Sequence, residues 1–368
     1  MKITGIELVR LSLPLQPPLL AAWDPEPRRR FPATLVIVDT DKGVRGIGSG
    51  DSMDGFDSYA ELFIGTDPLA IARQVRVLET IAFHGPRPWP LEAALWDIAG
   101  QVAGQPVARL LGGFTDRVPA YASTGALMDP DSRVEMALAA AGMGFRAMKI
   151  RVDPAQLTRG LASVAAVREA LPGFTLMVDL NQGWRMAGDS RGSLDPVAAR
   201  RIAGRLAELD VYWMEEPLAA TDVQGLAALR AACQVRVAGG EMVRSYAELT
   251  ALVEADALDV YQPDAVLAVG ISRARTLAEH VLAKGRLFSP HTWTNGIGLL
   301  ANLHLTAGVG GGPYLEYPVD PPGWTPARRD FMLAEPVGIS GDGCLSVGGR
   351  PGLGIVLDEA AIRRYRVT

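Results

Sequence analysis

From about Val118 onward the chain repeats one unit: an apolar run that closes on polar residues, then a helical stretch. The runs are VPAYAS, RAMKIRV, FTLMVDL, VYWMEEP, VRVAGGE, LDVYQPD, GRLFSPH and PYLEYP. Helical patterns at Ser132–Ala141, Leu157–Ala170, Pro196–Leu209, Val223–Ala232, Tyr246–Ala255, Ile271–Ala283 and Gly298–Ala307 separate them. Strand alternating with helix implies right-handed crossovers and a parallel sheet. Eight such strands, roughly 25–35 residues apart, imply a closed β/α barrel and not an open sheet.

In such a barrel, side chains at the C-terminal strand ends converge on one mouth. The residues at those ends are Lys149 and Arg151, Asp179 and Asn181, Glu215 and Glu216, Glu241, Asp264, His291 and Glu316. Asp179, Glu215 and Glu241 fall on consecutive strands. Carboxylates packed this closely repel one another unless a cation neutralises them, and hard oxygen ligands suit Mg²⁺ (or Mn²⁺). No Cys or His cluster offers a zinc site. Asp264 and His291 end neighbouring strands, and a carboxylate beside an imidazole sets its tautomer and raises its basicity, as a general base requires. The other histidines, His84, His280 and His304, lie in or beside helical patterns and read as structural or exposed.

The first part reads as α+β. MKITGIELVRLSLPL and ATLVIVDTDKGVRGIGSG look like strands, with a loop expected over Gln16–Pro32 and a second over Asp51–Asp57. Helices are expected over Pro68–Phe83 and Pro90–Val102, the latter with Leu91, Ala94, Leu95 and Ile98 on one stripe. After Pro318 the tail is rich in Pro and Gly, and its short strands GCLSV and GIVL are expected to fold back on the first domain. The resulting boundaries are 1–117, 118–318 and 319–368.

Composition removes other classes. A net charge of −5 over 368 residues argues against a nucleic-acid surface. Cys233 and Cys344 are too few for a disulfide framework and lack metal-ligand spacing. Neither a signal-peptide core nor an apolar run of membrane-spanning length is present, so a soluble, cytoplasmic protein is expected.

Taken together, LEAALWDIAGQVAGQPVARLLGG, MKIR, VDLNQGW, WMEEPL, GGEM, QPDA, SPH and YLEYP resemble, in order and across essentially the whole chain, the enolase superfamily and its mandelate racemase group. The resemblance implies an α+β capping domain, completed by the C-terminal tail, on a modified (β/α)7β barrel. It implies Mg²⁺ on Asp179, Glu215 and Glu241, His291 as a base oriented by Asp264, and Lys149 neutralising a substrate carboxylate. Glu316 would hydrogen-bond the enolate oxygen as a protonated or charge-balanced acid, and Asn181 would contact an α-hydroxyl. Gln16–Pro32 and Asp51–Asp57 would be the substrate-closing loops, with Trp23, Arg28 and Asp51 as their candidate contacts. A symmetric dimer or octamer is also suggested.

One residue departs from the racemase pattern. Lys-x-Lys on the second strand is Lys149-Ile150-Arg151 here, and arginine stays protonated at physiological pH. With no lysine base on that face, elimination by His291 fits better than two-base racemisation: dehydration of a sugar acid to a 2-keto-3-deoxy acid. A racemase or epimerase of an α-hydroxy acid or amino-acid derivative is the alternative, and a non-catalytic binding barrel the reading from another class. Trp184 and Trp213 read as packing beside the acids, while Trp293 and Asn295 follow His291 toward the pocket.

Overall fold

The computed structural model describes residues 1–367. Strands β1 (Ile3–Leu19), β2 (Arg28–Thr40) and β3 (Arg45–Ser49) make an antiparallel sheet in that order. The first hairpin is longer than expected, because both strands run into Gln16–Pro32 and leave only 20–27 between them. The prolines there look like strand breakers, but β1 is an edge strand and β3 reaches only Leu35–Asp39 of β2. Pro14, Pro17 and Pro32 therefore sit where the sheet has an open margin and a missing N–H is tolerated.

Helices α1 (Ile71–His84), α2 (Trp89–Ala103) and α3 (Val107–Leu110) follow. The stripe Leu91, Ala94, Leu95 and Ile98 is fully buried and packs with Val36, Val38, Leu78 and Ile81. Each buried Leu or Ile of this set contributes on the order of 1.5–3 kcal/mol. Contact between α2 and β3 depends on two glycines: a Cβ at Gly46 or Gly48 would run into the carbonyl oxygen of Ala94 or Pro90.

The remaining elements alternate: β4 (Arg117–Ser123), α4 (Pro130–Gly142), β5 (Ala147–Arg151), α5 (Leu157–Ala170), β6 (Thr175–Asp179), α6 (Pro196–Glu208), β7 (Val211–Glu215), α7 (Val223–Ala232), β8 (Arg236–Gly239), α8 (Tyr246–Glu254), β9 (Val260–Tyr261), α9 (Gly270–Ala283), β10 (Leu287–Phe288), α10 (Gly296–Val309) and β11 (Leu315–Pro318). All eight strands are parallel, in the order β10-β9-β8-β7-β6-β5-β4-β11, which is the modified (β/α)7β barrel. At the junction of β10 and β11, Ser289 Oγ donates to the Tyr314 carbonyl (2.7 Å) and Gly312 N–H donates to the Phe288 carbonyl. Asp129, Asp195, Asp222, Ser245 and Asn295 cap the helices that leave the mouth, each accepting from N–H groups of the first turn.

The tail touches both parts of the molecule. Trp324, Phe331, Met332 and Ile362 share a core with Val9, Leu11, Leu13 and Leu35 of the antiparallel sheet. Helices α11 (Pro326–Arg329) and α12 (Glu359–Tyr365) flank β12 (Cys344–Ser346), which pairs antiparallel with β4 of the barrel. The expected strand GIVL reduces to a single bridge between Leu333 and Leu357. Among the described residues no helix is long and apolar enough to cross a membrane.

Candidate active site

Parallel register puts the acids side by side. Arg151 is paired with Asp179 across β5 and β6, and Asp179 with Glu215 across β6 and β7. Asp179, Glu215 and Glu241 are buried, and one oxygen from each lies within 4.8 Å of the other two. Their remaining bonds hold them in place. Asp179 accepts from the Asn181 N–H (2.8 Å), and Glu215 Oε2 from Trp213 Nε1 and Gln262 Nε2 (both 2.9 Å). Glu241 Oε1 accepts from Trp184 Nε1 (2.7 Å), while its Oε2 has no hydrogen-bond partner. Burial raises the Glu241 carboxyl and carries Glu215 to about 7 against the pull of Lys149. Three converging hard oxygens, one of them orphaned, fit a divalent cation such as Mg²⁺.

Two cations lie against this cluster. Lys149 Nζ is fully buried, in contact with Glu215 Oε1 and 2.8 Å from Glu316, and Arg151 pairs with Asp179. Burial disfavours both charges, yet Glu215 and Glu316 around Lys149, and Asp179 and Glu215 around Arg151, more than offset it and raise both pKa values. With these carboxylates around them, both side chains are held in their charged forms. Glu316 accepts from Ser123 Oγ (2.6 Å), Thr292 N–H (2.7 Å) and Lys149. Burial alone would push its carboxyl up, but Lys149, His291 and Arg151 hold it well below the usual carboxylate range. Its neighbours are cations and N–H donors, which favour the charge-balanced carboxylate over the protonated acid.

His291 Nδ1 lies 2.9 Å from Asp264 Oδ2, and its Nε2 turns toward Glu241 Oε2 at 3.9 Å. Asp264 is fixed through Oδ1 by the N–H groups of Val266 and Leu267 and by Asn302 Nδ2. That arrangement leaves the Nε2 lone pair of neutral His291 free to accept a proton. Burial lowers the imidazole pKa, but Glu241, Glu316 and Asp264 outweigh it and lift the value to about 9. The other histidines are elsewhere: His280 pairs with Glu254, His84 ends α1, and His304 is buried in α10.

A cavity of about 420 Å³ opens above these groups, and Arg151, Asn181, Glu241 and His291 line its barrel side. Trp23, Arg28 and Asp51 line its other side, so the structure brings every capping-loop candidate to the same space. Asn181 adopts a left-handed backbone (φ 48°), and its Nδ2 is buried without a partner, an unspent donor at the cavity edge. Trp23 lies over the Arg151 guanidinium, 4.6 Å from ring centroid to carbon, and meets Trp293 edge-on at 4.9 Å.

Several participants escaped sequence reasoning. Trp184 and Trp213 pack as expected, but each also donates a hydrogen bond to an acid of the triad. Gln262 and Asn302 orient Glu215 and Asp264, and Trp293 donates to Ser123 Oγ, which in turn donates to Glu316. Gln262 stands two residues before Asp264, just past the end of β9, and its position at a strand end was the signal that could have placed it at the mouth. Arg185, Arg87 and Trp324 come from loops and carry no such signal.

Comparison with known proteins agrees with this geometry. Residues 132–361 match the enolase C-terminal domain-like family, and 11–112 match the mandelate racemase / muconate lactonizing enzyme N-terminal domain. The D-galactarolactone cycloisomerase of Agrobacterium fabrum is 30% identical over 100% of this chain and 99% of its own length. The L-talarate/galactarate dehydratase of Salmonella typhimurium is 32% identical over 76% of this chain, the match spanning 65% of that enzyme. The crystal structure of L-talarate dehydratase from Polaromonas sp. JS666, complexed with Mg and L-glucarate, superposes with a TM-score of 0.86 at 27% identity, covering 100% of this chain and 98% of that one.

Proposed function

This chain belongs to the enolase superfamily, in its mandelate racemase / muconate lactonizing enzyme branch, and from that premise we propose that it dehydrates a sugar acid to a 2-keto-3-deoxy acid. The observation that carries the reading is the asymmetry of the mouth: a histidine–aspartate pair on one side, and on the other an arginine that cannot lose its proton.

Asp179, Glu215 and Glu241 would hold Mg²⁺, or Mn²⁺, which when bound polarises the substrate carboxylate and acidifies the neighbouring C–H. Lys149 and Arg151 lie where they balance the carboxylate charge that grows as the α-proton leaves. His291 takes that proton at Nε2, with Asp264 stabilising the imidazolium. The substrate's enediolate then expels the β-hydroxyl, which leaves as water with the proton carried by His291, and the enol product ketonises. Asn181 donates to the α-hydroxyl through its free Nδ2. Glu316, as a carboxylate held by Lys149, fixes that cation in place and meets the enolate side of the substrate.

A second reading, an isomerase acting on the same α-carbon, is favoured by one observation: a relative matched over the whole chain is a cycloisomerase. Incubating the protein and Mg²⁺ with a panel of acid sugars and α-hydroxy acids separates the two. Release of a 2-keto acid supports dehydration, whereas a change in optical rotation or ring form without one supports isomerisation. Turnover undiminished in EDTA would sink both. A homo-oligomer (dimer or octamer) and a cytoplasmic location belong to the same proposal. Sedimentation would test the oligomeric state.

A further inference from the structure

The cavity's far wall has a definite chemistry. From Arg151 outward, aromatic rings follow one another: Trp23, then Trp293, then Trp324 stacked on it at 6.3 Å, then Phe31 at 4.7 Å from Trp324. Leu19, Pro32, Leu267 and Met186 complete a largely apolar lining.

Charges do occur on this side, but each cation already has partners. Arg28 makes two parallel bonds to Asp24, through Nε at 2.6 Å and Nη2 at 2.7 Å, and the Asp24 carboxylate is itself buried. Arg87 pairs with Asp51 at 3.0 Å. Arg185 donates from all three guanidinium nitrogens to the carbonyls of Asn181, Trp184, Arg191 and Gly192 and to Gln182 Oε1. Its five N–H groups are thereby used up. A second carboxylate brought here would meet two neutralised pairs and a saturated guanidinium, close to two resident carboxylates. Withdrawing an anion from water without a free partner is costly, and like charges nearby add to that cost.

We infer that the substrate is a monocarboxylate, an aldonate in open or ring form, whose far end is uncharged and lies with its C–H face against the Trp293–Trp324 wall. The inference rests on the dehydratase reading above and narrows it: dicarboxylates of the kind named for the Salmonella and Polaromonas enzymes would be poor substrates here. An arginine run at Arg28–Arg30 invites the opposite conclusion, but Arg28 is paired with Asp24, and the exposed Arg29 and Arg30 do not line the cavity.

The experiment compares acids that differ only at the far carbon: D-galactonate against galactarate, and D-gluconate against D-glucarate, each with Mg²⁺. The monoacid of a pair should show a kcat/KM at least roughly tenfold above its diacid; equal or reversed preference overturns the inference while leaving the dehydratase reading intact. Should no acid sugar be turned over, the dehydratase reading fails. Binding of the same pairs, followed by tryptophan fluorescence, still decides the inference, and tighter binding of the diacids refutes it. Asp51→Asn leaves Arg87 uncompensated and should raise the diacid-to-monoacid ratio roughly tenfold. Asp24→Asn should do the same by freeing Arg28 and serves if the first variant misfolds. A ratio unmoved in the folded variants contradicts the charge-pairing argument.

Discussion

The barrel mouth and the seam between α3 and α10 each bury a histidine, and the two respond to burial in opposite ways. At the seam, His304 sits among apolar side chains, accepts one bond from the Ala108 N–H (3.1 Å), and burial pushes its pKa down to about 4. At the mouth, burial acts on His291 in the same direction, but three carboxylates overrule it and the value climbs to about 9. At the seam a single hydrogen bond ties two helices together, and the ring's Nε2 is buried without a partner. A cluster of Asp179, Glu215, Glu241, Glu316, Lys149, Arg151 and His291 is held together against its own desolvation, and such arrangements persist where charges must act on something. Buried polarity alone does not mark a site; a convergent cluster of many buried charges is the stronger signal.

The largest effect should come from the mouth's acids. Glu241→Gln should remove Mg²⁺ binding, read by calorimetry, and lower kcat by thousands-fold or more, as expected when several kcal/mol of stabilisation are lost, with the circular dichroism spectrum unchanged. Retained activity in that variant would break the contrast between the two regions.

His291→Asn comes next. It should cut kcat by about 10²–10⁴-fold and stop exchange of the substrate α-proton with deuterated solvent, measured by NMR. Exchange that continues would point to another base. In EDTA-treated wild-type protein the His291 resonances should titrate near pH 9, and Glu241→Gln should lower that midpoint because one of the raising carboxylates becomes neutral.

Smaller again is Arg151→Lys, which keeps the charge but loses the planar stack under Trp23. A fall in kcat/KM of roughly tenfold is expected, with no racemised substrate on chiral chromatography. Racemised product would show that a lysine at this position becomes a second base.

His304→Leu should leave kcat unchanged yet destabilise the fold by about 1–3 kcal/mol, through the unpaired Ala108 N–H. Its pH signature sharpens the comparison. Folding favours neutral His304, because its folded pKa lies below the ordinary 6.5. The associated stability is therefore complete above about pH 6.5 and is lost as pH falls toward 4. Thermal melts across that window should be flatter for the variant than for the wild type, and parallel curves would contradict the assignment.

Much of the mouth was legible in the sequence. Asp179, Glu215 and Glu241 each close an apolar run, and strand periodicity turns that position into a direction, toward the barrel axis and its C-terminal end. The pairing of Asp264 with His291 followed from adjacent strands in the same way. The first hairpin was not legible: proline content argued for a loop over Gln16–Pro32, whereas the tolerance of those prolines depends on where β3 stops beside β2. The split role of the tail, sharing a core with the capping sheet while β12 pairs with β4, likewise depends on contacts between residues far apart in the chain.

By itself the sequence determined the strand–helix alternation, the parallel barrel, and which ionisable groups gather at its mouth, because those follow from local periodicity and from right-handed crossovers. Only the tertiary structure decided the state of those groups and the shape of the space above them. The cations around Glu316, the raised His291, the pairing of Arg28 and Arg87, and the aromatic wall from Trp23 to Phe31 are all set by through-space neighbours. Electrostatic and packing energies depend on distances of a few ångströms between such neighbours, and those distances exist only once the loops have been laid against the barrel.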